Sequence, residues 1–267
     1  MLNPRIIPCL LIKNKGLVKT VKFLDSKYVG DPLNAVKIFN EKSVDELIVL
    51  DIDATVQNRE PDFKMIGHLA AECCMPLCYG GGIKTPEQAL RIFALGVEKI
   101  ALSSAVIENP NIISKIGKSV GTQSVIIVLD VKKKKFSNDY DLYTHNGKKK
   151  TGLNVLDFAK KVEELGCGEI IINSIDEDGV MEGYDTNIIN IIRDEVSIPI
   201  TVLGGAGSLN DIGQMINRHG IIGVAAGSLF VFKGKYKAVL INYPNPLEKE
   251  SLINNYFLKN ETNPTII

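Results

Sequence analysis

The chain has 267 residues, with Lys+Arg and Asp+Glu both at 31 and a formal charge of zero. Folded as one unit, a chain of this size buries roughly 75% of its unfolded surface and needs no disulfide or metal staple. Charge balance argues against a nucleic-acid or anionic-membrane partner, both of which favour a basic face, and no apolar run approaches the ~18 residues of a membrane span.

In chain order, the apolar run Arg5–Leu11 predicts a first strand, and Asp31-Pro32 then reads as a helix cap followed by proline. Strands follow at Glu46–Asp51 and Pro76–Gly80, and Thr85-Pro86-Glu87-Gln88 combines a capping box with proline at the first helical position. Glu98–Ser103 is the fourth strand, Asn109-Pro110 another cap, and Ser124–Asp130 the fifth strand. A polar insert, Val131–Thr151, carries Lys132–Lys135 and Lys148–Lys150 at its ends, and a solvated loop edge is the expected role of those lysines. Strands six to eight are Glu169–Ser174, Ile198–Gly204 and Ile221–Gly227. The tail from Asn245 to Ile267 lacks periodicity and is expected to pack as a short appendage or to fray. All eight runs are continuously apolar, as parallel strands covered on both faces should be.

The sequence repeats itself. Tyr79-Gly80-Gly81-Gly82-Ile83 returns as Leu203-Gly204-Gly205-Ala206-Gly207, Asp51-Ile52-Asp53 as Asp176-Glu177-Asp178, and Leu102-Ser103-Ser104-Ala105 as Ala226-Gly227-Ser228-Leu229, at spacings of 124 or 125 residues. Two four-unit halves of that length close into an eight-strand barrel. A duplicated Rossmann half would need a Gly-rich turn after its first strand, and Pro8-Cys9-Leu10-Leu11 offers none. The expectation is one (β/α)₈ TIM barrel over 1–267 with half-barrels near 1–120 and 121–244 and an appendage at 245–267. Met1 to Ile7 does not read as a secretory signal, and Cys9, Cys73, Cys74, Cys78 and Cys167 form no C-x-x-C pair. Reduced thiols and a cytoplasmic location are therefore expected.

In a barrel, function sits on the loops after the strands' C-terminal ends. Gly81 and Gly82 after strand three stand next to Ser103 and Ser104 after strand four, while Gly204 and Gly205 after strand seven stand next to Gly227 and Ser228 after strand eight. Glycines leave backbone N–H groups unobstructed, and a following helix N-terminus favours an anion. One such turn is explained by a tight corner. Two copies, half a barrel apart, predict a ligand with a phosphate at each end. Asp130 ends strand five before a basic insert rather than a helix, so capping does not explain it, and it is the candidate acid–base group. Asp51, Asp176 and Asp178 are candidate substrate contacts. With four units per half, Asp130's partner should end strand one, at position 11, where the chain has Leu11. His68, His145 and His219 lack metal-ligand spacing, and no metal or cofactor is assigned.

Over nearly its full length the chain resembles the cyclase subunit of imidazole glycerol phosphate synthase. Arg5-Ile6-Ile7-Pro8-Cys9-Leu10, Asp45-Glu46-Leu47, both Gly-rich turns, Ser174-Ile175-Asp176-Glu177-Asp178-Gly179 and Gly183-Tyr184-Asp185 carry the likeness. The resemblance implies a bisphosphorylated ribulosyl carboxamide substrate, ammonia from a partner glutaminase, and two Asp residues sharing the acid–base work. It adds Gly179 to the phosphate contacts and Lys19 to the substrate contacts. Asp130 matches one catalytic Asp and Leu11 replaces the other, while Asp53 and Ser103 stand where the family usually has Thr and Asn. Arg5, Glu46, Lys99 and Glu169 match the family's charged ring at the entry of an ammonia passage, which implies a glutaminase on the N-terminal barrel face.

A narrower resemblance, through Leu11, Lys19-Thr20-Val21-Lys22-Phe23 and Lys27-Tyr28-Val29-Gly30-Asp31-Pro32, is to cyclase-like proteins associated with amidation of surface-polysaccharide sugars, which implies a separate sugar amidotransferase as a further partner. The leading expectation is an ammonia-relaying, cyclase-like barrel of that kind. Its rivals are an authentic cyclase–lyase of histidine biosynthesis, a non-catalytic activator of the glutaminase, and a phosphosugar isomerase of the same superfamily.

Overall fold

A computed structural model describes residues 3–258 of the chain. Among them the Ile/Val/Leu-rich runs form eight parallel strands: β1 (Arg5–Lys13), β2 (Leu47–Asp51), β3 (Leu77–Gly80), β4 (Lys99–Leu102), β5 (Val125–Lys133), β6 (Glu169–Ser174), β7 (Ile200–Leu203) and β8 (Gly223–Ala226). Each pairs with the next, β8 pairs with β1, and no edge remains unpaired. The predicted (β/α)₈ barrel is therefore what forms. Its interior is small and apolar, built from inward residues such as Ile7, Cys9, Cys78, Ala101, Val128 and Ala225. The larger core lies between the strands' outer faces and the surrounding helices.

The helices are α1 (Pro32–Glu41), α2 (Phe63–Glu72), α3 (Pro86–Ala94), α4 (Ser104–Glu108), α5 (Ile112–Val120), α6 (Val155–Glu164), α7 (Thr186–Arg193), α8 (Leu209–His219), α9 (Ser228–Val231) and α10 (Pro246–Ile253). Asp31 caps α1 through the Asn34 amide, and Thr85 with Gln88 forms the expected capping box on α3. The cap expected at Asn109-Pro110 does not form. Asn109 instead ends α4, and α5 begins two residues after Pro110 behind Asn111, which makes no side-chain cap. None of the described helices is long and apolar enough to cross a membrane.

Two arms rise from the barrel's C-terminal side, where the sequence predicted only an insert. β1 runs on to Lys13, the chain returns as Gly16–Val21 antiparallel to it, turns at Lys22-Phe23 and leaves as Leu24–Gly30. Half a barrel away β5 runs on to Lys133, returns as Tyr140–Thr144, turns at His145–Gly147 and leaves as Lys149–Asn154. The turns need left-handed backbone: φ is 53° and 62° at Lys22 and Phe23, and 55°, 56° and 72° at His145, Asn146 and Gly147. The returning strand Tyr140–Thr144 alternates buried and half-buried residues, the period-two pattern of a strand covered on one face only. The two turns meet above the barrel: a Cβ at Gly147 would stand 3.4 Å from the Phe23 ring, and the Asn146 side chain donates to the Ile52 carbonyl at 2.9 Å. A third, short hairpin pairs Phe232–Lys233 with Ala238–Val239, and Lys27 lies 5.4 Å from the centre of the Phe232 ring.

The described part of the tail, to residue 258, packs against α8 and the barrel's N-terminal end. Asn245 caps α10 with Glu248, Lys249 pairs with Asp45 at 2.6 Å, and the Tyr243 hydroxyl donates to the Ile6 carbonyl. Tyr256 lies over Gly213 of α8, where a Cβ would come within 2.5 Å of its ring. The rest of the tail expected at 245–267 lies outside the described residues.

Candidate functional site

The strands' C-terminal ends open into a cleft of about 1240 Å³, counted out to its solvent-filled mouth. Both predicted phosphate cradles line it: Gly81, Gly82, Ser103 and Ser104 on one side, and Gly204, Gly205, Gly227 and Ser228 on the other. The repeat survives in the backbone, since Gly81 (φ 125°) and Gly205 (φ 116°), 124 residues apart, share a conformation that L-residues avoid. Ser104 and Ser228 are each the first residue of a short helix directly behind a strand. A Cβ on Gly205 would lie 1.9 Å from the Gly183 carbonyl oxygen, whereas one on Gly183 (φ 112°) would meet nothing within 4 Å. Strain at positive φ costs roughly 1–2 kcal/mol, so Gly183→Ala should lose little more than that. Gly205→Ala must also move backbone, and its melting temperature should fall about two to three times as far by calorimetry.

Lys19 on the first arm belongs to the second cradle. Its Nζ is buried, donates to the Cys9 carbonyl at 2.6 Å, and would lie 2.5 Å from a Cβ on Gly227. Burial lowers its pKa, opposed by the Cys9 thiol and by the charge on Asp178. The ammonium thus stands over the Gly227–Ser228 turn with two of its three protons uncommitted among the described residues. Gly179 supports the same arm: it lines the cleft at φ 69°, where a Cβ would strike the Thr20 carbonyl at 2.1 Å.

Asp130 stands between the cradles at the mouth end of β5. Asn173, its neighbour on β6, donates to Oδ1 at 2.8 Å, and no described residue bonds Oδ2. The carboxyl touches the cleft yet sits deep in protein. Burial pushes its pKa up to about 7, the Asn173 amide pulls it down, and the charge of Asp178 adds to the rise. The Ser103 hydroxyl draws it down as well, but Oγ is buried and meets no partner in hydrogen-bonding geometry. An acid near neutrality can both give and take a proton at physiological pH.

Leu11 faces the same cleft from β1. In the closed strand order β1 and β5 are four places apart, on opposite sides of the barrel. The wall opposite Asp130 is therefore the hydrocarbon of Leu11 and its partner in register, Leu50. Asp178, on the loop after the strand next to Asp130, is near enough for its charge to act on that carboxyl, and its Oδ2 receives the Thr20 hydroxyl (2.6 Å) and the Phe23 amide (3.1 Å) of the arm that rises from β1. Burial raises its pKa against those two bonds and Lys19. Asp51 lines the cleft too, with Oδ1 held by the amides of Asp53 and Ala54 and by Arg59 at 3.5 Å. Burial again raises its pKa, against Arg59 and the two amides.

Asp176 does not join these residues. It lies outside the cleft wall, and its Oδ2 accepts the Lys133 amide at 3.0 Å. Asp53, also outside the wall, anchors the first arm through the Asn14 amide. The structure adds residues the sequence did not single out: Thr20 and Phe23 on the first arm, His145 and Asn146 on the second, and Asn173. Phe23, His145 and Asn146 sit in turns that carry no apolar periodicity, and Asn173 is brought to Asp130 by strand register alone. Among the described residues no three His, Cys, Asp or Glu side chains are grouped to hold a metal ion.

At the opposite, N-terminal end, Arg5, Glu46, Lys99 and Glu169 form a closed ring of alternating charge. Arg5 bonds Glu46 and, at 2.6 Å, Glu169; Lys99 bonds both Glu46 oxygens at 2.9 Å and Glu169 at 3.2 Å. The Thr201 hydroxyl donates to Glu169, and Gly223 leaves it room, since a Cβ there would fall 1.8 Å from Thr201 Oγ1. Burial alone would raise the Glu169 pKa, but Arg5, Lys99 and Thr201 together hold it below the usual carboxylate value.

A family model described as histidine biosynthesis protein matches residues 5–237. A Vibrio vulnificus (strain YJ016) protein provisionally named imidazole glycerol phosphate synthase subunit hisF3 is 57% identical over 253 residues, 95% of this chain and 97% of the relative. A Leptospira borgpetersenii protein provisionally named imidazole glycerol phosphate synthase subunit HisF is 59% identical over 94% of this chain and 99% of its own length. The imidazole glycerol phosphate synthase subunit HisF of Lactococcus lactis subsp. lactis (strain IL1403) is 40% identical over 86% of this chain and 89% of its own.

Proposed function

Since this chain belongs to the HisF family of imidazole glycerol phosphate synthase cyclase subunits, we propose that it is a cyclase-like barrel that has kept the family's ligand frame and ammonia entry but not its paired acid–base chemistry. In this reading a bisphosphorylated ligand spans the mouth between the Gly81–Gly82 and Gly204–Gly205 cradles. A glutaminase docks below the Arg5–Glu46–Lys99–Glu169 ring, and ammonia rises through the barrel's apolar interior. The acceptor of that ammonia is a surface-polysaccharide sugar, amidated by a separate amidotransferase in the cytoplasm. The observation that carries this reading is Leu11, a hydrocarbon lining the cleft opposite Asp130. A leucine neither gives nor takes a proton, and one positioned acid or base is worth roughly 10²–10⁴ in rate, or about 3–5 kcal/mol of barrier.

The test is an assay of the barrel, alone with ammonium and with its cognate glutaminase, on the ribulosyl carboxamide bisphosphate of histidine biosynthesis. The wild-type chain should leave the substrate unconverted, and Leu11→Asp should raise turnover about 10²–10⁴-fold. Robust turnover by the wild-type chain, or growth of a strain lacking the histidine cyclase when this chain is supplied, would overturn the proposal. Either result would favour an authentic cyclase–lyase, a reading that has Asp178 beside Asp130 in its support.

A further inference from the structure

Charge is balanced over this chain but not over its surface. The two arms and the short hairpin, residues 13–30, 131–154 and 232–240, hold fifteen lysines, three aspartates, and no arginine or glutamate. Of the 31 basic and 31 acidic residues, that leaves 16 and 28 for everything else. The three segments thus carry a net charge of +12, and all rise on the mouth side of the barrel. All of these lysines but Lys19 lie outside the core, and three ion pairs among the described residues, Lys15–Asp62, Lys134–Asp139 and Lys150–Asp141, offset only a fraction of the charge. Bare hydrophobic side chains stand among them: Phe136 is 99% exposed, Tyr236 91%, Tyr28 66% and Leu24 61%. Phe136 follows Lys132–Lys135 on the outermost bend of the second arm, and Tyr236 lies between Lys235 and Lys237 in the bend of the hairpin.

We propose that the arms dock the barrel, mouth first, on an anionic phospholipid surface. Lysine is a strongly hydrated point charge on a flexible stem, suited to a diffuse sheet of phosphates, whereas built phosphate and nucleic-acid sites favour arginine's planar fork. Protein interfaces are depleted in lysine at their cores. Aromatic and aliphatic side chains at projecting bends, ringed by lysine, match the pattern of proteins that lie on membranes rather than span them. The zero net charge that argued against a membrane is a sum over the whole chain and hides the +12 of these three segments. This inference does not depend on the function proposed above.

The experiment is sedimentation of the full chain with vesicles of phosphatidylcholine alone, and with about a third of phosphatidylglycerol added. The chain should pellet with the anionic vesicles only, and release as salt rises toward ~1 M and the screening length falls to roughly 3 Å. Each lysine near the surface is worth about a fivefold change in partition, so Lys132, Lys133 and Lys135 changed together to Gln should lower it about 100-fold. Phe136→Ala with Tyr236→Ala should lower it without altering its salt dependence. Lys37→Gln with Lys118→Gln, away from the arms, should leave it unchanged. All these side chains project from the fold, and an unchanged melting temperature checks it. Equal pelleting with neutral vesicles, no pelleting with either, indifference to the arm lysines, or retention by polyuridylate or polyglutamate but not by vesicles would each overturn the proposal.

Discussion

Asp130→Asn is expected to cut the turnover that Leu11→Asp confers by about 10²–10⁴, while making the protein more stable above neutral pH. Both effects have one origin. Burial has pushed the carboxyl up to about 7, so near neutrality it divides between acid and base forms. That same shift is a folding cost. Below the ~3.9 of an unfolded aspartate both states hold the proton and nothing is lost; as pH climbs toward 7 the unfolded chain releases a proton that the folded chain retains. The penalty is complete above 7, with a ceiling of about 4 kcal/mol at 1.36 kcal/mol per unit, and less because the carboxyl touches the cleft. Asparagine preserves the acceptor for Asn173 and carries no charge. Thermal unfolding should therefore show the variant several degrees above wild type at pH 8.5 and level with it at pH 4. An equal gain at both values would mean that ionisation is not the cause, and unaltered activity would take Asp130 out of the chemistry.

Glu169→Ala should be among the most damaging single changes in the molecule. It strips a buried carboxylate from between Arg5 and Lys99 and leaves the Thr201 hydroxyl without its acceptor. Removing one partner of a buried ion pair costs about 3–5 kcal/mol, and a chain of this size loses roughly 2–4 °C of melting temperature per kcal/mol. A drop of about 10 °C is expected at pH 7. Because the folded pKa of Glu169 lies below its unfolded value, its stabilisation is complete above the unfolded pKa near 4.3 and fades as pH falls through the lowered one. The deficit should accordingly shrink in strongly acidic solution. If the ring also admits ammonia, the variant will lose glutamine-driven activity of the complex more than activity with added ammonium. A melting temperature within 2–3 °C of wild type would show that the ring contributes little to the fold.

Sequence patterning fixed most of the barrel because parallel strands covered on both faces are apolar throughout, and such runs stand out against helical periodicity. The repeat then chose closure over an open sheet. The cradles and the ring were legible for a related reason: glycines at turns and charges at strand ends have few other uses at those places. The arms were not legible. Their returning strands mix polar with apolar residues, Lys19 and Thr20 in one and Asp141 and Thr144 in the other, so a search for continuous apolar runs passes over Gly16–Val21 and Tyr140–Thr144. The false cap at Asn109-Pro110 shows the other limit, since α4, a helix of only five residues, was missing from the reading, and Asn109 closes it rather than opening α5. Asp176 misled by symmetry: it repeats Asp51 along the chain, yet Asp178 is the residue that reaches the cleft.

The duplicated frame has a directional consequence. Its two cradles are near-copies, so on the proposed reading a molecule phosphorylated at both termini would seat itself head-to-tail or reversed with similar end contacts. Only one polarity brings a given central atom against Asp130 rather than against Leu11. Strand register puts Thr144 where the other half has Lys19, so on the proposed reading the ammonium over Gly227 is a built-in compass, favouring the terminus that bears more negative charge and sorting productive from reversed occupancy.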